Sequence, residues 1–489
     1  MTFTRKNVWT LLSRDPWDDS TEDYARAVAT MQARPADDPT SWTFQAAIHG
    51  SYSTPPAGAA WNECQHAGWF FLPWHRMYLY FFERIVRAAV IENGGDPEWA
   101  LPYWNYDQPT PRNTLPKPLR TPTLPSGDPN ALFLAAPQRD PAFVNGGRLP
   151  RSVTSPAAAM RERRFVPGFG GPASAPSGFN GGFGALEQTP HNVVHVQLGG
   201  ESDPPCQGGL MIDPSCAALD PVFWLHHCNI DRLWKRWLDQ GGGRANPTDV
   251  AWLSQSFTFH DETGAAVQLT CADVLDTVAQ LEYGYDDDPF QVGVPMPAPA
   301  PPPTPPGGPP EMVAASDRPV ELTGNRVSVS LSVAPDALPR LRGDAIGGAP
   351  GLAVGGDDTS IYLNVEDIDA PRNPGIVYGV YVNAPPGASA DEREEYHVGN
   401  VSLFGIESVR DPNRVHSVPG LRHSFNISHV VDRLKAERRW NPATIDVTFE
   451  PIAPVGGAVP GAGGAPGIPQ ARTGSNIPVR IGRVSLFLG

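Results

Sequence analysis

The sequence lacks long hydrophobic runs and has few cysteines, and each shortage argues against a class of protein. No stretch approaches the roughly 18 to 20 consecutive apolar residues of a membrane span, and the opening MTFTRKNVWTLL has no apolar core followed by a cleavage site. The 5 cysteines are few and odd in number, unlike the even framework of a disulfide-stapled secreted protein. We therefore expect a soluble, cytoplasmic protein with no membrane partner.

Positive charge is also scarce. The 37 Lys and Arg residues are outnumbered by 52 Asp and Glu residues, and the net charge of −15 is spread without a long like-charge run. This balance argues against nucleic acid or an anionic membrane as a partner and fits a small neutral or cationic substrate. At 489 residues, the chain is long enough for two folded units.

Proline divides the chain into two differently patterned parts. It dominates residues 291 to 312, which predicts an extended linker. Residues 1 to 290 contain helical periodicity, most clearly at 73 to 91 and at 220 to 237. Residues 313 to 489 contain short β-branched runs punctuated by Gly, Pro and Asn, which predicts a small β-sandwich. The expected fold is therefore α+β with two domains, the first mainly helical.

The histidines are unevenly distributed among these elements. The chain has 12 histidines, and they include two compact groups: His49, His66 and His75, and then His191, His195, His226 and His227. His191 and His195 are four residues apart, so that on a helix both imidazoles leave the same face. A single buried histidine is more often a hydrogen-bonded structural residue than a ligand. So many imidazoles in apolar helical segments indicate a common partner, because a buried polar ring costs free energy unless its nitrogens are satisfied.

An all-imidazole set without a cysteine pair or a carboxylate triad suits copper better than zinc or iron. Two groups of three ligands predict two copper ions. A structural zinc ion would need only four ligands and would leave two histidines unexplained.

Two segments carry a resemblance to a known family. FLPWHRMYLYFFERI and DPVFWLHHCNIDRLW resemble the two copper signatures of tyrosinases, catechol oxidases and the related haemocyanins. LPYWNYD, PHNVVH and LEYGYD resemble further landmarks of the tyrosinase and polyphenol oxidase family. The resemblance covers residues 1 to 290 well and residues 315 to 489 only in outline. It implies a binuclear type 3 copper site inside a four-helix bundle.

Carried over position by position, the resemblance assigns the copper ligands. His49, His66 and His75 match the first copper site, and the second is matched by His191, His195 and His227. His226 then lies beside the second site, although spacing alone does not separate His226 from His227.

The resemblance implies further roles near the ligands. Fungal members of the family join a Cys-x-His pair by a thioether, which predicts a bond between Cys64 and His66; a free buried Cys64 is the alternative. Members that hydroxylate monophenols hold a basic water with Glu and Asn, which points to Glu187 and Asn192; these residues could instead cap the helix that carries His191. Asp231, one turn after His227, could orient a ligand or pair with an arginine such as Arg232.

The implied activity uses O2 and a small phenolic substrate. The family hydroxylates monophenols at the ortho position and oxidises o-diphenols to o-quinones. The alternatives are a catechol or o-aminophenol oxidase without monophenol activity, and a haemocyanin-like oxygen-binding protein. The C-terminal domain resembles a shielding domain that covers the copper pocket, and a permanent structural partner is the other interpretation. The sequence gives no indication of oligomeric state.

Overall fold

The structure is a computed structural model that describes residues 2–13, 17–172, 182–200, 205–206, 208–288, 311–342, 360–407, 420–452 and 477–489. Among these residues, the part before residue 289 is mainly helical. Its helices are α1 (Val8–Leu11), α2 (Asp19–Ala33), α3 (Trp42–His49), α4 (Phe71–Glu92), α5 (Pro141–Val144), α6 (Arg151–Thr154), α7 (Ala157–Arg161), α8 (Val193–Leu198), α9 (Pro221–Asp239) and α10 (Val250–Leu253). No described helix is both long and apolar enough to cross a membrane.

The two helices predicted most clearly from periodicity are α4 and α9. Helix α9 begins as its sequence predicts: the Asp220 side chain accepts a hydrogen bond from the Val222 amide, and Pro221 occupies the first helical position. Both helices bury broad faces, and Phe82 of α4 stacks on Trp224 of α9 with the two rings 6° from parallel. These contacts place the two helices side by side in the first hydrophobic core.

Two small sheets complete the helical part. Strands β1 (Phe3–Arg5) and β4 (Tyr283–Tyr285) pair in parallel, which brings the start of the chain beside the end of this part. Strands β2 (Ser256–His260) and β3 (Ala266–Thr270) form an antiparallel hairpin.

The part after residue 310 is built on one antiparallel sheet. Its described strands are β5 (Glu311–Ser316), β6 (Val320–Leu322), β7 (Val327–Val333), β8 (Ile361–Asp369), β9 (Val377–Val382), β10 (His397–Val401), β11 (Leu421–Asn426), β12 (Ile445–Ile452) and β13 (Val479–Leu488). The order is β10-β9-β12-β7-β5-β13-β8-β11, with β6 also paired to β13. Helices α11 (Leu338–Arg342), α12 (Ala390–Glu394) and α13 (Ser428–Ala436) lie between strands in the chain.

This architecture confirms a C-terminal antiparallel β unit, but it does not confirm the two-sheet sandwich. The described strands share one hydrogen-bonded sheet, and its two end strands, β10 and β11, also contact each other, so that the sheet nearly closes. The predicted linker, residues 291 to 312, lies outside the described residues except for Glu311 and Met312, which begin β5.

The hydrophobic cores of the two parts are not separate. Val377 and Phe404, from the C-terminal part, belong to the core of the helical part. Ala67 and Phe183, from the helical part, belong to the core of the sheet. Each part therefore completes the packing of the other.

A buried charge cluster joins α4 to α9. Asp231 of α9 accepts hydrogen bonds from Arg76 Nε at 2.6 Å and from Arg5 at 3.3 Å, and from the hydroxyls of Tyr283 and Tyr285 at 2.6 and 2.5 Å. The two guanidinium groups hold the pKa of the Asp231 carboxyl below its usual value despite burial, which acts in the opposite direction.

Asp231 therefore has a structural role, and its partner is not Arg232. Arg232 pairs with Asp287 instead. Arg5 also bonds Glu83 at 2.7 Å, so one arginine near the start of the chain joins both long helices.

Candidate metal centre

The first histidine group is brought together by α3, α4 and the segment between them. His49 is the last residue of α3, His75 is in the second turn of α4, and His66 precedes α4. The ring centres are 5.2 Å apart for His49 and His66, 5.6 Å for His49 and His75, and 5.2 Å for His66 and His75. All of these rings are buried.

The second group converges more tightly. His195 is on α8, His227 is on α9, and His191 is in an irregular turn, Glu187–Asn192, that leads into α8. The Nε2 atom of His227 lies 3.3 Å from Nε2 of His191 and 3.2 Å from Nε2 of His195. The Nε2 atoms of His191, His195 and His227 therefore converge on a single point.

The two groups adjoin each other. His75 of the first group stacks on His227 of the second, with ring centres 4.5 Å apart, and His66 and His191 are 5.8 Å apart. Two metal ions held by these groups would be neighbours in a single buried site.

His226 differs from His227 in its surroundings. Its Nδ1 atom lies 3.2 Å from the Tyr106 hydroxyl, and its ring stacks beside His191 with centres 5.4 Å apart. The ligand atoms of His191, His195, His226 and His227 still lie within 4.8 Å of one another. Proximity alone therefore does not exclude His226 as a ligand. The short Nε2 to Nε2 distances, however, join His227 to His191 and His195 and do not involve His226.

The imidazoles are suited to metal binding because they are neutral. Burial first, and the neighbouring histidines second, lower the pKa values of His66, His75, His191, His195 and His227 well below the usual range. A neutral imidazole offers a lone pair to a metal ion, whereas a protonated imidazole does not.

The Nδ1 atoms of several rings are already hydrogen-bonded. The Nδ1 atom of His75 donates to the Phe71 carbonyl at 2.8 Å, and its buried Nε2 has no hydrogen-bond partner among the described residues. His191 Nδ1 donates to the Asn192 side-chain oxygen at 2.7 Å. Such outer hydrogen bonds fix the tautomer and leave Nε2 for a metal, so the residues present fit copper ions.

Cys64 lies against the first group. It is buried, forms no disulfide, and its sulfur is within 4.8 Å of ligand atoms of both His49 and His66. The sequence predicts a thioether at this place, and the geometry brings the two partners together.

Glu187 and Asn192 are both fully buried next to the second group. Glu187 Oε1 accepts a hydrogen bond from the Ala67 amide at 2.9 Å, while Oε2 has no hydrogen-bond partner among the described residues. Asn192 Nδ2 likewise has no such partner. Burial raises the pKa of the Glu187 carboxyl well above its usual value.

The contacts of these two side chains differ from helix capping. The turn is not regular helix, because Thr189 has an extended backbone with φ −145° and ψ 122°. The Asn192 side chain makes no capping hydrogen bond to α8 and binds His191 instead.

Sequence reasoning missed Phe404. This residue follows β10 in the C-terminal part, yet its ring stacks on His195 with centres 4.3 Å apart. It also contacts the edges of His191 and His66, at 5.5 and 5.6 Å, and it is completely buried. One phenylalanine among short β segments carries no signal of this contact, because the contact depends on how the two parts pack.

These observations define a class of protein: a helical metal-binding unit with two adjoining histidine groups, covered by an antiparallel β unit. Three family models match the chain. The model for the common central domain of tyrosinase matches residues 39–141 and 152–240, and the polyphenol oxidase middle domain matches residues 246–292. A model described as a domain of unknown function matches residues 309–460.

The known relatives cover either nearly the whole chain or about half of it. Tyrosinase HcTyr1 from Hahella sp. (strain CCB-MM4) is 33% identical, with 99% of this chain and 98% of the relative covered. The latent form of polyphenol oxidase from Prunus armeniaca is 34% identical over 54% of this chain, which spans 46% of that relative. The structure of latent apple tyrosinase is similar in fold, with a TM-score of 0.65 at 23% identity, covering 100% of this chain and 97% of that one.

The chain belongs to the tyrosinase and polyphenol oxidase family. It is therefore a copper oxidoreductase, because the family carries a binuclear type 3 copper centre and acts on phenols with O2. The histidine clusters of this chain are able to bind metal ions.

The expected cytoplasmic location is wrong. The plant relatives are named as chloroplastic polyphenol oxidases. Their names contradict the expectation of a cytoplasmic location. Cys206 and Cys216 form a disulfide, a bond that is rare in reducing compartments, so the cysteines do not support a cytoplasmic site either. An odd total does not prevent two of the cysteines from pairing.

Proposed function

We propose that this chain is a tyrosinase-like oxidase that hydroxylates monophenols at the ortho position and oxidises o-diphenols to o-quinones. His49, His66 and His75 hold one copper ion, and His191, His195 and His227 hold the other. The convergence of the Nε2 atoms of the second group carries the proposal. When bound, the copper pair supplies the two-electron exchange between the phenol and O2. In the oxidase reaction, two o-diphenols and one O2 give two o-quinones and two water molecules.

The protein positions the site through packing. Four helices, α3, α4, α8 and α9, bear or adjoin the ligands, and we propose that they form the bundle around the metals. Burial excludes bulk water and keeps the imidazoles neutral, so that each ring is ready to bind copper.

The ligand assignment is tested by a pair of neighbouring substitutions. His227→Ala removes the ring whose Nε2 meets two other Nε2 atoms, so one copper and all oxidase activity should be lost. His226→Ala removes a ring whose Nδ1 is bonded to Tyr106, so both coppers should remain, with lower activity or stability. Copper per chain, by atomic absorption, is the measurement; the reverse pattern would transfer the ligand role to His226.

We also propose a thioether between the Cys64 sulfur and a ring carbon of His66. The bond forms when sulfur and carbon each lose one hydrogen to O2, which is reduced to hydrogen peroxide. His66 lies outside the helices, so a covalent tie reduces the conformational freedom that the ring loses on binding copper.

Peptide mass spectrometry tests this bond. The peptide containing Cys64 and His66 should be lighter by two hydrogens in protein matured with copper and O2 than in protein kept without copper. Cys271, which is also buried and unpaired in any disulfide, serves as the control thiol after denaturation. Alkylation of Cys64 in the mature, denatured protein would disprove the thioether.

We propose that Glu187 and Asn192 together hold a water molecule that accepts the phenol proton. A phenol has a pKa near 10 and is mostly protonated at neutral pH, whereas its phenolate is the form that binds copper. In the carboxylate form of Glu187, its Oε2 atom supplies an acceptor for such a water, and Asn192 Nδ2 supplies a donor. A diphenol oxidase without this step is the second candidate, since relatives include a catechol oxidase from Solanum tuberosum.

The ratio of two activities tests the proton acceptor. Glu187→Gln and Asn192→Ala should each lower turnover of a monophenol by about 100-fold, the usual contribution of a general base. Turnover of the matching catechol is the internal control and should change far less, because a catechol gives up its electrons readily. Equal losses on both substrates, or an unmodified enzyme inert toward monophenols, would leave a catechol or o-aminophenol oxidase.

We propose that the C-terminal unit, residues 313 to 489, shields the copper site of the catalytic unit, residues 1 to 290, and that residues 291 to 312 link them. Phe404 carries this proposal, because its ring occupies the space against His195 and the edges of His66 and His191. A phenolic ring that approaches the coppers from this side needs the same space. The apple structure of similar fold is described as latent, in keeping with a cover of this kind.

Removing the covering ring tests the shield. Phe404→Ala should raise the kcat/KM for a small catechol by about tenfold, the equivalent of about 1.4 kcal/mol in the barrier. Phe449→Ala is the matched control, because Phe449 is equally buried but belongs to the core of the sheet, so it should lower stability without raising activity. A Phe404→Ala enzyme that loses copper, or is no more active, would indicate a permanent structural partner.

A further inference from the structure

In four of the proposed ligands, the Nδ1 atom, here called the outer nitrogen, forms a hydrogen bond, and its partners are of two kinds. His75 and His191 bond atoms close to them in the chain, Phe71 and Asn192. His49 and His195 instead bond carbonyls of one distant segment, Leu210 to Cys216. His49 Nδ1 donates to the Pro214 carbonyl at 2.7 Å, and His195 Nδ1 donates to the Met211 carbonyl at 2.8 Å.

This segment, 210 to 216, therefore contacts one ligand of each copper site. His49 belongs to the first histidine group and His195 to the second. Through these two hydrogen bonds, the segment binds an outer nitrogen in each of the two histidine groups. Any shift of the segment changes the orientation of two imidazoles together.

Covalent and polar contacts hold the segment in place. Cys216 forms a disulfide with Cys206, ten positions earlier. The Tyr52 hydroxyl donates to Asp213 Oδ2 at 2.6 Å, and Asp213 Oδ1 accepts the Ser215 amide at 2.8 Å.

The close fit at Gly50, directly after His49, limits movement further. A Cβ atom at Gly50 would lie 2.7 Å from the Pro214 oxygen and 2.7 Å from Ser215 Cα. The end of α3 and the segment are therefore in backbone contact.

We propose that segment 210 to 216, cross-linked through Cys216 to Cys206, is a positioning element that couples the retention of the two copper ions. It acts through the Pro214 and Met211 carbonyls, which orient His49 and His195. The proposal rests on the ligand assignment made above. The sequence gives no sign of it, because backbone carbonyls have no signature and the cysteine pair alone points only to a loop.

The expected size of the effect follows from the role of outer hydrogen bonds. Loss of a partner to the non-coordinating nitrogen of a ligand histidine costs roughly 10-fold to 100-fold in metal affinity. The disulfide closes a short loop and so limits the conformations that the segment can adopt when metal leaves. Without the cross-link, both carbonyls are free to move, and both coppers should be held less firmly.

The experiment begins with the unmodified, copper-loaded protein. Two coppers per chain establish the binuclear site on which the proposal rests, so a failure at this step is a failure of the proposed function and not of the positioning element. Copper release into excess chelator is then followed with time for a double variant, Cys206→Ser with Cys216→Ser. Cys271→Ser removes a buried cysteine outside the segment and is the first control.

A second control separates positioning from general stability. Phe449→Ala should lower the melting temperature of the copper-free protein by a cavity in the core of the sheet, to which the segment does not belong. The double variant should release both coppers at least tenfold faster than the unmodified protein. Each variant is measured at the same number of degrees below its own melting temperature. Under these conditions, Phe449→Ala and Cys271→Ser should release both coppers at the rate of the unmodified protein.

Gly50→Ala perturbs the segment without changing the disulfide. Its Cβ pushes against Pro214 and Ser215, so the segment shifts and both coppers should be released faster, as in the double variant. This variant also keeps the test decisive if the double variant does not fold.

Three outcomes would overturn the proposal. The double variant could release copper at the unmodified rate, it could accelerate the release of one copper alone, or Phe449→Ala could show equal acceleration. If the double variant does not fold, Gly50→Ala decides: an unchanged rate, or faster release of one copper alone, would overturn the proposal.

Discussion

The structure depends on one constraint: polar imidazole rings in two adjoining groups must be buried and still have their nitrogens satisfied. Burial keeps these rings neutral, and a ring without a partner at both nitrogens would cost free energy. Backbone and side-chain acceptors take one nitrogen of several rings, which leaves the other nitrogen for the metal ion that we propose. The positions of α3, α4, α8 and α9 follow from this requirement, because each must present a ring to the same small volume.

Charge keeps the two longest helices in register around that volume. Asp231 and Glu83, one on each helix, share Arg5, and Arg76 completes the link across the helices. A buried pair of this kind adds little net stability over apolar side chains, but removing one partner leaves an unpaired buried charge and costs several kcal/mol, about 3 to 5. Such a cluster specifies one arrangement of helices, because a shifted helix would leave a carboxylate unpaired.

The sequence predicts those features that depend on local pattern. Helices α4 and α9 follow from apolar periodicity with proline and Asp220 at their starts, and the histidine groups follow from spacing and apolar surroundings. The resemblance to the copper signatures predicts the tyrosinase and polyphenol oxidase family, to which the chain belongs. The irregular turn before α8 was not predicted, because Pro190 and the extended Thr189 interrupt a spacing that otherwise suggests helix.

Features that depend on distant pairs of residues could not be predicted. Arg5 and Asp231 are 226 positions apart, and nothing in either neighbourhood identifies the other. The Cys206 and Cys216 pair was hidden by the odd cysteine total. The strand pattern indicated antiparallel β structure. Whether the strands form one sheet or two depends on their order, which is set by long-range pairing. The alternation of apolar and polar residues along a strand does not encode that pairing.

The boundary between the helical part and the sheet is itself part of the site. Gln188, three residues before His191, donates to the Ser424 carbonyl and lies 3.3 Å from His423 Nδ1. Asn400 donates to the Thr189 hydroxyl, and Ala67, whose amide binds Glu187, packs in the core of the sheet. The C-terminal part therefore holds the two residues after Glu187 and packs against Ala67, whose amide binds Glu187, while Phe404 covers the histidines. Because covering and support come from the same surface, movement confined to Phe404 and its neighbours would open the site with its ligands intact. Full separation of the two parts would also release the turn that carries His191.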